Sequence, residues 1–316
     1  MRRLFIALAA LCAALSTDLW NGAFADMPTG MNVEPGEVQV AESYLLPITP
    51  PLDQGDSDLC WVYATLSMLE TNYMVRHPGS QITLSRGALE RDAIEDRFLR
   101  LIRGEPRNLE NGGLAVEALA LIRQNGLLAE GDFHHVLDDP DPIFSAIEQE
   151  LARYADPAGR RKALDEALKT TFGAKPPTTH LDGDRLSPAE FARAVLGQEH
   201  WAEFDLARHG VEGWGPPHDP DARPETRVMY VKLDQMIDLI HRSLARGEAV
   251  VWGSEDHALM IYGGEYAKDG TPLSYWIKDS LAPYTYRAGA ETIHRELNDV
   301  TVVVDRLAVE PQQVVP

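Results

Sequence analysis

The chain has 316 residues, of which 44% are hydrophobic, and it carries 49 acidic and 29 basic side chains, a formal net charge of −20. This length and composition are enough to bury a full core, either in one large domain or in two lobes. The strong negative charge argues against nucleic acid and against anionic membranes as partners.

Residues 1–25 have the pattern of a signal peptide. Two arginines follow the initial methionine, an apolar run extends from Leu4 to Leu15, and Ala23-Phe24-Ala25 provides small residues at the expected cleavage site. The apolar run is too short to span a bilayer as a helix of the mature chain. We therefore expect an exported protein, periplasmic or secreted, whose mature chain at 26–316 has no membrane anchor.

Seven helices are predicted in chain order from apolar spacing and stop signals. The first begins near Cys60, shows helical spacing from Val62 to Tyr73, and ends before His77-Pro78-Gly79. A later one begins at Ser187-Pro188-Ala189-Glu190, where serine is the N-cap, proline takes the first helical position and glutamate the third. The other five are predicted near 86–103, 114–125, 141–153, 157–172 and 232–246.

The C-terminal part of the chain shows strand patterns, whereas the preceding part shows mainly helical ones. Short β-rich segments separated by turn residues lie at 249–252, 257–262, 274–278 and 300–304. We therefore predict an α+β fold in which 26–316 forms one domain. Its parts are a helical lobe at 53–140, a helical insertion at 141–225 and a β-rich lobe at 226–316.

Cys60 is the only cysteine left after the signal peptide, so no internal disulfide can form. Most free cysteines are small buried hydrophobes, and composition alone favours that role. The local sequence favours a nucleophile, because the N–H groups and dipole at a helix start stabilise a thiolate. Gln54 could present its amide to an oxyanion beside the backbone N–H of Cys60. Asp56 and Asp58 would oppose a thiolate, so we expect both to face solvent.

Two later segments contain the partners that such a nucleophile needs. His257 is followed by alanine, apolar residues and two glycines, and a second apolar segment ends at Asp279. Together with Gln54 and the pair Cys60-Trp61, these segments resemble the active-site segments of papain-like cysteine peptidases. The resemblance implies that Gln54 contributes to an oxyanion hole, that Cys60 attacks the substrate carbonyl, and that His257 and Asp279 are its base and orienting residue.

Acid–base chemistry agrees with these roles. His257 would take the Cys60 proton, giving a thiolate–imidazolium pair, and would later protonate the leaving amine. Asp279 would accept from the other ring nitrogen and fix the tautomer. The family generally has asparagine here and tryptophan two residues later, whereas this chain has Asp279 and Leu281. Aspartate strengthens the imidazolium, and the missing tryptophan predicts a hydrogen bond that water reaches more easily.

Four residues are candidates for substrate binding. Asn111-Gly112-Gly113 resembles the family segment whose backbone pairs with the substrate, since glycine lets two backbones approach closely. Gly112 and Gly113 are therefore candidates, together with Trp61 and Asp256, which adjoin the nucleophile and the base. An ordinary loop or a helix start is the alternative for the two glycines.

The middle of the chain narrows the resemblance to one branch of the family. Segments at 163–168, 172–177 and 186–191 resemble the helical insertion of bleomycin hydrolase and aminopeptidase C, and residues 111–128 resemble that branch as well. The stretch between Val251 and His257 is much shorter than in that branch. Its hexameric cage and its tail-in-cleft arrangement therefore do not carry over.

The resemblance implies a two-lobed papain-like fold and peptide-bond cleavage through a thioacyl-enzyme at Cys60, with peptides or proteins as substrates. Two other functions stay open: a catalytically idle relative that binds peptides or a partner in the same cleft, and an acyl or peptidyl transferase. No cofactor or metal is predicted, since His134 and His135 are adjacent and would face differently, and no phosphate-binding loop occurs. Oligomeric state and side-chain preference are left undetermined.

Overall fold

The computed structural model describes residues 39–105, 112–137, 139–197, 199–207, 212–218, 226–281 and 283–304. The predicted signal peptide at 1–25 and Asn111 lie outside the described residues. In the described part, the helices are α1 (Cys60–Arg76), α2 (Arg86–Ile102), α3 (Ala115–Asn125), α4 (Asp141–Leu151), α5 (Pro157–Phe172), α6 (Pro188–Leu196), α7 (Leu233–Ala245) and α8 (Ala290–Glu296).

All seven predicted helices are confirmed to within about two residues, and α8 was not predicted. The predicted start of α6 has the expected hydrogen bonds. The Ser187 hydroxyl accepts from the backbone N–H of Glu190, and the Glu190 carboxylate accepts from the backbone N–H of Ser187. Local capping chemistry is therefore enough to place this helix.

The described strands are β1 (Glu42–Leu45), β2 (Thr179–Leu181), β3 (Asp184–Leu186), β4 (His200–Leu206), β5 (Gly213–Gly215), β6 (Val228–Val231), β7 (Val250–Gly253), β8 (Ala258–Tyr266), β9 (Pro272–Asp279), β10 (Tyr284–Gly289) and β11 (Asp299–Val304). The large sheet has the order β10-β9-β8-β7-β11-β4-β6-β5, and β1 also pairs with β8. Within it the β4–β6 pair is parallel and the others are antiparallel. β2 and β3 form a separate hairpin.

The segment 141–225, predicted to be helical, contains strands as well as helices. Its last described helix, α6, ends at Leu196, and β4 and β5 follow and join the large sheet. β4 alternates in a strand pattern, with Trp201 in the core on one side of the sheet and Phe204 in the core on the other. The buried acids Glu203 and Asp205 lower the hydrophobicity of this segment, which is why its strand pattern was not predicted.

Two hydrophobic cores cover the two faces of the large sheet. One packs α1, α3 and α6 against the sheet, and the other packs α7 and α8 against it. A third core joins α2, α4 and α5. Every residue of α1 from Trp61 to Met74 is buried, so this helix lies between the sheet and the other helices with its first residue, Cys60, at the rim.

A buried ionic network ties α1 to α2 and β9. Glu70 of α1 accepts hydrogen bonds from Arg86 of α2 and from the hydroxyl of Thr49. Lys278 of β9 donates to the same hydroxyl at 2.8 Å, and burial lowers the pKa of Lys278 to about 8. Because Lys278 immediately precedes Asp279, this network holds the end of β9 against α1.

Glu90 of α2 predicts a pH-dependent stability. Its side chain is 0% exposed, one carboxylate oxygen accepts from the backbone N–H of Leu137, and the other has no hydrogen-bond partner in the described part of the chain. Burial raises the pKa of Glu90 from 4.5 to about 8. Between these values the folded chain holds a proton that the unfolded chain has lost. The contribution of Glu90 to the free energy of unfolding should therefore fall by roughly 1 kcal/mol per pH unit as pH rises.

Chemical denaturation of the wild type and of Glu90→Gln between pH 4.5 and 8 measures this contribution. The glutamine variant should lose less stability than the wild type as pH rises, because it has no proton to exchange. Parallel pH dependences of the two proteins would contradict the prediction.

Candidate active site

Cys60 is the first residue of α1 and is half-buried, whereas its neighbours Leu59 and Trp61 are buried. The unpaired N–H groups of the first turn and the positive end of the helix dipole lie at this end of the helix. No acidic residue occupies the first turn, and Asp56 and Asp58 are exposed, as predicted. The start of α1 therefore places backbone N–H donors, and no nearby acidic side chain of its first turn, beside Cys60.

Antiparallel pairing brings His257 and Asp279 together. His257 ends the short loop between β7 and β8, where its carbonyl accepts from the backbone N–H of Ser254 at 2.8 Å. Met260 of β8 pairs with Lys278 of β9, so the start of β8 lies beside the end of β9, which is Asp279. The two side chains meet with His257 Nε2 at 2.9 Å from Asp279 Oδ1.

The protonated form of His257 is favoured. Burial alone would lower the pKa of His257, but hydrogen bonds and charge interactions with Asp279 and Cys60 outweigh it and raise the pKa to about 9. Since Nε2 is engaged by Asp279, Nδ1 is the ring nitrogen that remains for Cys60. Cys60 therefore contacts His257, and His257 contacts Asp279, so the predicted nucleophile, base and orienting residue form a chain of contacts.

Asp279 is well covered, in contrast to the expectation based on Leu281. Asp279 is 8% exposed, although Leu281 is 61% exposed. The backbone N–H of Leu281 donates to Asp279 Oδ1 at 2.9 Å, the same oxygen that meets His257. Asp279 is therefore buried without a tryptophan at position 281, and its Oδ1 atom is engaged by both His257 and a backbone N–H.

Gln54 is buried, and three hydrogen bonds fix its orientation. Its backbone N–H donates to the Ser280 carbonyl at 2.8 Å, and its own carbonyl accepts from the Ser57 hydroxyl at 2.6 Å. Its side-chain Oε1 accepts from the Ser280 hydroxyl at 2.6 Å. The NH2 group is therefore the part of this side chain that can donate to a ligand.

Ser280 is a positioning residue that the sequence interpretation missed. It ties Gln54 to the segment that carries Asp279, and so couples two parts of the site that are far apart in the sequence. Its place directly after Asp279 was the one available signal. A serine at that place is ordinary in a turn, and only the folded structure shows its partner.

Cys60 and His257 line a cleft of about 530 Å³. Three of the four residues predicted to bind substrate also line it: Gly112, Gly113 and Asp256. The cleft runs from these residues along the ends of β7, β4 and β11. A space of this size suits a ligand that extends well beyond the nucleophile.

Trp61 lies elsewhere than predicted. It is 1% exposed and does not line the cleft. A Cβ atom at Gly113 would stand 2.8 Å from its indole ring, so Gly113 packs directly on Trp61. The helix turns Trp61 into the core one residue after Cys60, where it supports the cleft wall rather than touching a ligand.

Among the described residues, no three histidine, cysteine or carboxylate side chains are grouped so as to hold a metal ion. None of the helices described combines the length and apolar character that a membrane crossing requires.

The architecture is similar to that of PepW from Lactobacillus rhamnosis HN001, with a TM-score of 0.61 and 14% sequence identity over 87% of this chain and 83% of PepW. Xylellain, a cysteine protease from Xylella fastidiosa, aligns with a TM-score of 0.37 and 14% identity over 84% of this chain and 86% of its own. No protein-family sequence profile and no curated protein sequence matches the chain. The described chain has the papain-like α+β fold, which confirms the predicted fold class.

Proposed function

We propose that this chain is a cysteine peptidase that hydrolyses peptide bonds through a thioacyl-enzyme at Cys60. One arrangement carries the proposal: Cys60, at the start of a buried helix, contacts His257, which in turn lies 2.9 Å from the buried Asp279. A nucleophile, a base and an orienting residue in contact are the requirement of covalent acyl transfer. Cys60 and His257 lie on the wall of a cleft of about 530 Å³, which gives a peptide access to the sulfur.

The reaction follows from these positions. The Cys60 thiolate attacks the peptide carbonyl, and the negative charge on the carbonyl oxygen is stabilised by the backbone N–H of Cys60 and by the Gln54 amide. As the C–N bond breaks, the His257 imidazolium gives its proton to the leaving amine, and a thioester remains on Cys60. Neutral His257 then takes a proton from a water molecule, whose oxygen attacks the thioester carbonyl. The C–S bond breaks, the carboxylic acid product leaves, and the thiolate–imidazolium pair of Cys60 and His257 is restored.

The bond between Ser280 and Gln54 predicts a defect in the chemical step. In Ser280→Ala the Gln54 amide loses its 2.6 Å contact and is no longer held in one orientation. Because the amide acts on charge that develops in the transition state, kcat should fall about tenfold while KM changes little. Steady-state kinetics measures the split between kcat and KM. A rise in KM with kcat unchanged would contradict the role given to Ser280.

We also propose a branch of the peptidase family and a cellular location for this chain. Likeness to PepW, together with the segments at 163–168, 172–177 and 186–191, supports a place in the bleomycin hydrolase and aminopeptidase C branch. The pattern of residues 1–25 supports export. N-terminal sequencing of protein recovered from a bacterial periplasm or growth medium should begin at Asp26. An intact N-terminus on protein that remains in the cytoplasm would contradict export.

Mass spectrometry of products separates the three functions left open by the sequence. The wild type and Cys60→Ala are incubated with a peptide mixture, with and without an added amine acceptor. A peptidase gives free carboxyl products in both conditions, a transferase gives products joined to the acceptor, and an idle relative gives neither. Products that form equally with Cys60→Ala would overturn the nucleophile assignment.

A further inference from the structure

The two glycines that line the cleft have no side chains to hold them in place. Gly112 and Gly113 lie just before α3, which begins at Ala115. Glycine loses more conformational freedom than any other residue when its backbone is fixed. The buried start of α3 fixes the end of this segment at Leu114. The other end, at the exposed Gly112, needs support from elsewhere in the fold.

Arg97 of α2 supplies that support. Its guanidinium donates through Nη2 to the Gly112 carbonyl. The same guanidinium lies 5.7 Å from the centre of the Trp61 ring, within the range of a cation–π interaction. Arg97 is half-buried and lines the cleft. Because a planar guanidinium beside an aromatic ring presents its donors in a fixed direction, Gly112 is tied to a rigid part of the fold.

Trp61 connects this contact to the second glycine. Trp61 is 1% exposed, and a Cβ atom at Gly113 would lie 2.8 Å from its indole ring. Gly113 therefore rests on the ring, while Gly112 is held by the arginine beside the same ring. Since Trp61 directly follows Cys60 in α1, this closed set of contacts fixes the glycine segment relative to the candidate nucleophile.

These contacts leave Gly113 as the glycine whose backbone can pair with a ligand. The Gly112 carbonyl is engaged by Arg97. The backbone N–H and carbonyl of Gly113 make no hydrogen bond with any other described residue. An extended peptide in the cleft could satisfy both groups, in the way that a peptide adds to the edge of a sheet. The direction in which Gly113 presents them depends on how firmly Gly112 is held.

We propose that Arg97 is a positioning residue that holds Gly113 ready to pair with the backbone of the substrate. The inference rests on the proposed function, because it takes the cleft to be the peptide site. Arg97 touches no reacting atom and acts through the Gly112 carbonyl. Fixing the two glycines before a substrate arrives removes an entropic cost from the binding step. Arg97 therefore strengthens binding of the ground state and of the transition state alike.

Replacing Arg97 with alanine should weaken substrate binding. In Arg97→Ala the Gly112 carbonyl loses its donor, so KM should rise about tenfold, whereas kcat should change less than about threefold. Arg97→Lys keeps a charge and a donor without the planar fork, and its KM should lie between the two. Arg153→Ala removes a side chain that is 71% exposed just after α4 and should change neither constant. A wild-type KM in folded Arg97→Ala would overturn the inference.

Peptides with one backbone ester test whether the effect acts through backbone pairing. The ester removes one N–H donor and replaces, in turn, each of the three amides that precede the cleaved bond. At one position the wild type should lose about tenfold in kcat/KM relative to the amide peptide. In Arg97→Ala the loss should be at most about threefold, because the pairing is already weakened. If Arg97→Ala does not fold, Arg97→Lys should show an intermediate loss. Equal losses in wild type and variant, or no loss at any position, would overturn the inference.

A binding assay separates this inference from the proposed function. Fluorescence anisotropy measures the binding of labelled amide and ester peptides to Cys60→Ala, with and without Arg97→Ala in the same chain, so that no hydrolysis intervenes. If the wild type cleaves nothing but the ester weakens binding only where Arg97 is present, the positioning role stands and the peptidase fails. If the wild type cleaves and Arg97→Ala keeps the wild-type KM and the full ester effect, the peptidase stands and the positioning role fails. Absence of both cleavage and the ester effect rejects both.

Discussion

Replacing Cys60 with alanine is expected to lower kcat for peptide hydrolysis on the order of 10⁴-fold or more. The reason is that, in the proposed mechanism, the sulfur forms the bond to the substrate carbonyl. Among the described residues that line the cleft, no other has a thiol. Product formation by liquid chromatography, with the purified full chain, measures the loss. Binding of peptides should be retained, since the cleft walls do not depend on the sulfur.

Two further variants make this result specific. Cys60→Ser keeps an oxygen nucleophile of similar size, and it should be nearly as inactive as the alanine variant, because a hydroxyl holds its proton far more tightly than a thiol. His257→Ala should be equally inactive although the sulfur is intact, because the two residues act as one unit. Cys60 is half-buried and begins a helix that is otherwise buried, so melting temperatures should change little. Wild-type rates in any of the three folded variants would contradict the mechanism.

Asp279→Ala is expected to move the alkaline limit of activity. In the wild type, kcat/KM should fall as pH rises through about 9, because the active form needs His257 protonated and its pKa lies there. Without Asp279, burial still lowers the pKa of His257 while one of the two opposing partners is lost. The alkaline fall in kcat/KM should therefore shift to lower pH by at least about one unit, and the maximum kcat/KM should be about 10²-fold lower than in the wild type.

Asp279→Asn is the matched variant for this experiment. Asparagine keeps an oxygen for His257 Nε2 and for the backbone N–H of Leu281, but it carries no charge. The alkaline fall in its kcat/KM should lie at a pH between those of the wild type and the alanine variant, and most of the maximum kcat/KM should be retained. If pH profiles of all three proteins coincide, Asp279 does not set the protonation of His257.

The parts of the site that could be predicted from sequence are those with local signals. Cys60 is recognisable because it begins an apolar helix and follows Gln54 at a short distance. His257 directly precedes strand β8 and Asp279 is the last residue of strand β9, and the structure brings these two side chains to 2.9 Å. Short-range patterns therefore identify each residue, whereas the pairing between β8 and β9 that joins them is a long-range property.

Other features could not be predicted, for physical reasons. The strand β4 carries two buried acids, so its hydrophobic alternation is interrupted and a helical segment was expected around it. The side chain of Trp61 points into the core because a helix rotates its direction by about 100° per residue. The second donor to Asp279 is the backbone N–H of Leu281, and a backbone donor is not indicated by residue type.

The pairing of Asp205 with Asp299 was hidden from sequence for a related reason. Asp205 and Asp299 are separated by most of the β-rich part of the chain, and only the β4–β11 register makes them neighbours. In the sequence they are two of 49 acidic residues whose even spread suggests solubility. Their pairing in the sheet distinguishes them from the other acids, and that pairing depends on the completed fold.

The central claim is that His257 activates Cys60, and the pH dependence of thiol alkylation tests it most directly. The wild type and His257→Ala are treated with iodoacetamide between pH 5 and 9, and the peptide that contains Cys60 is quantified by mass spectrometry. The thiolate–imidazolium pair predicts rapid alkylation of wild-type Cys60 well below pH 8, and slow alkylation in His257→Ala that rises only toward the pKa of an ordinary thiol, about 8.5. Identical profiles for the two proteins, both rising near that pKa, would contradict the account.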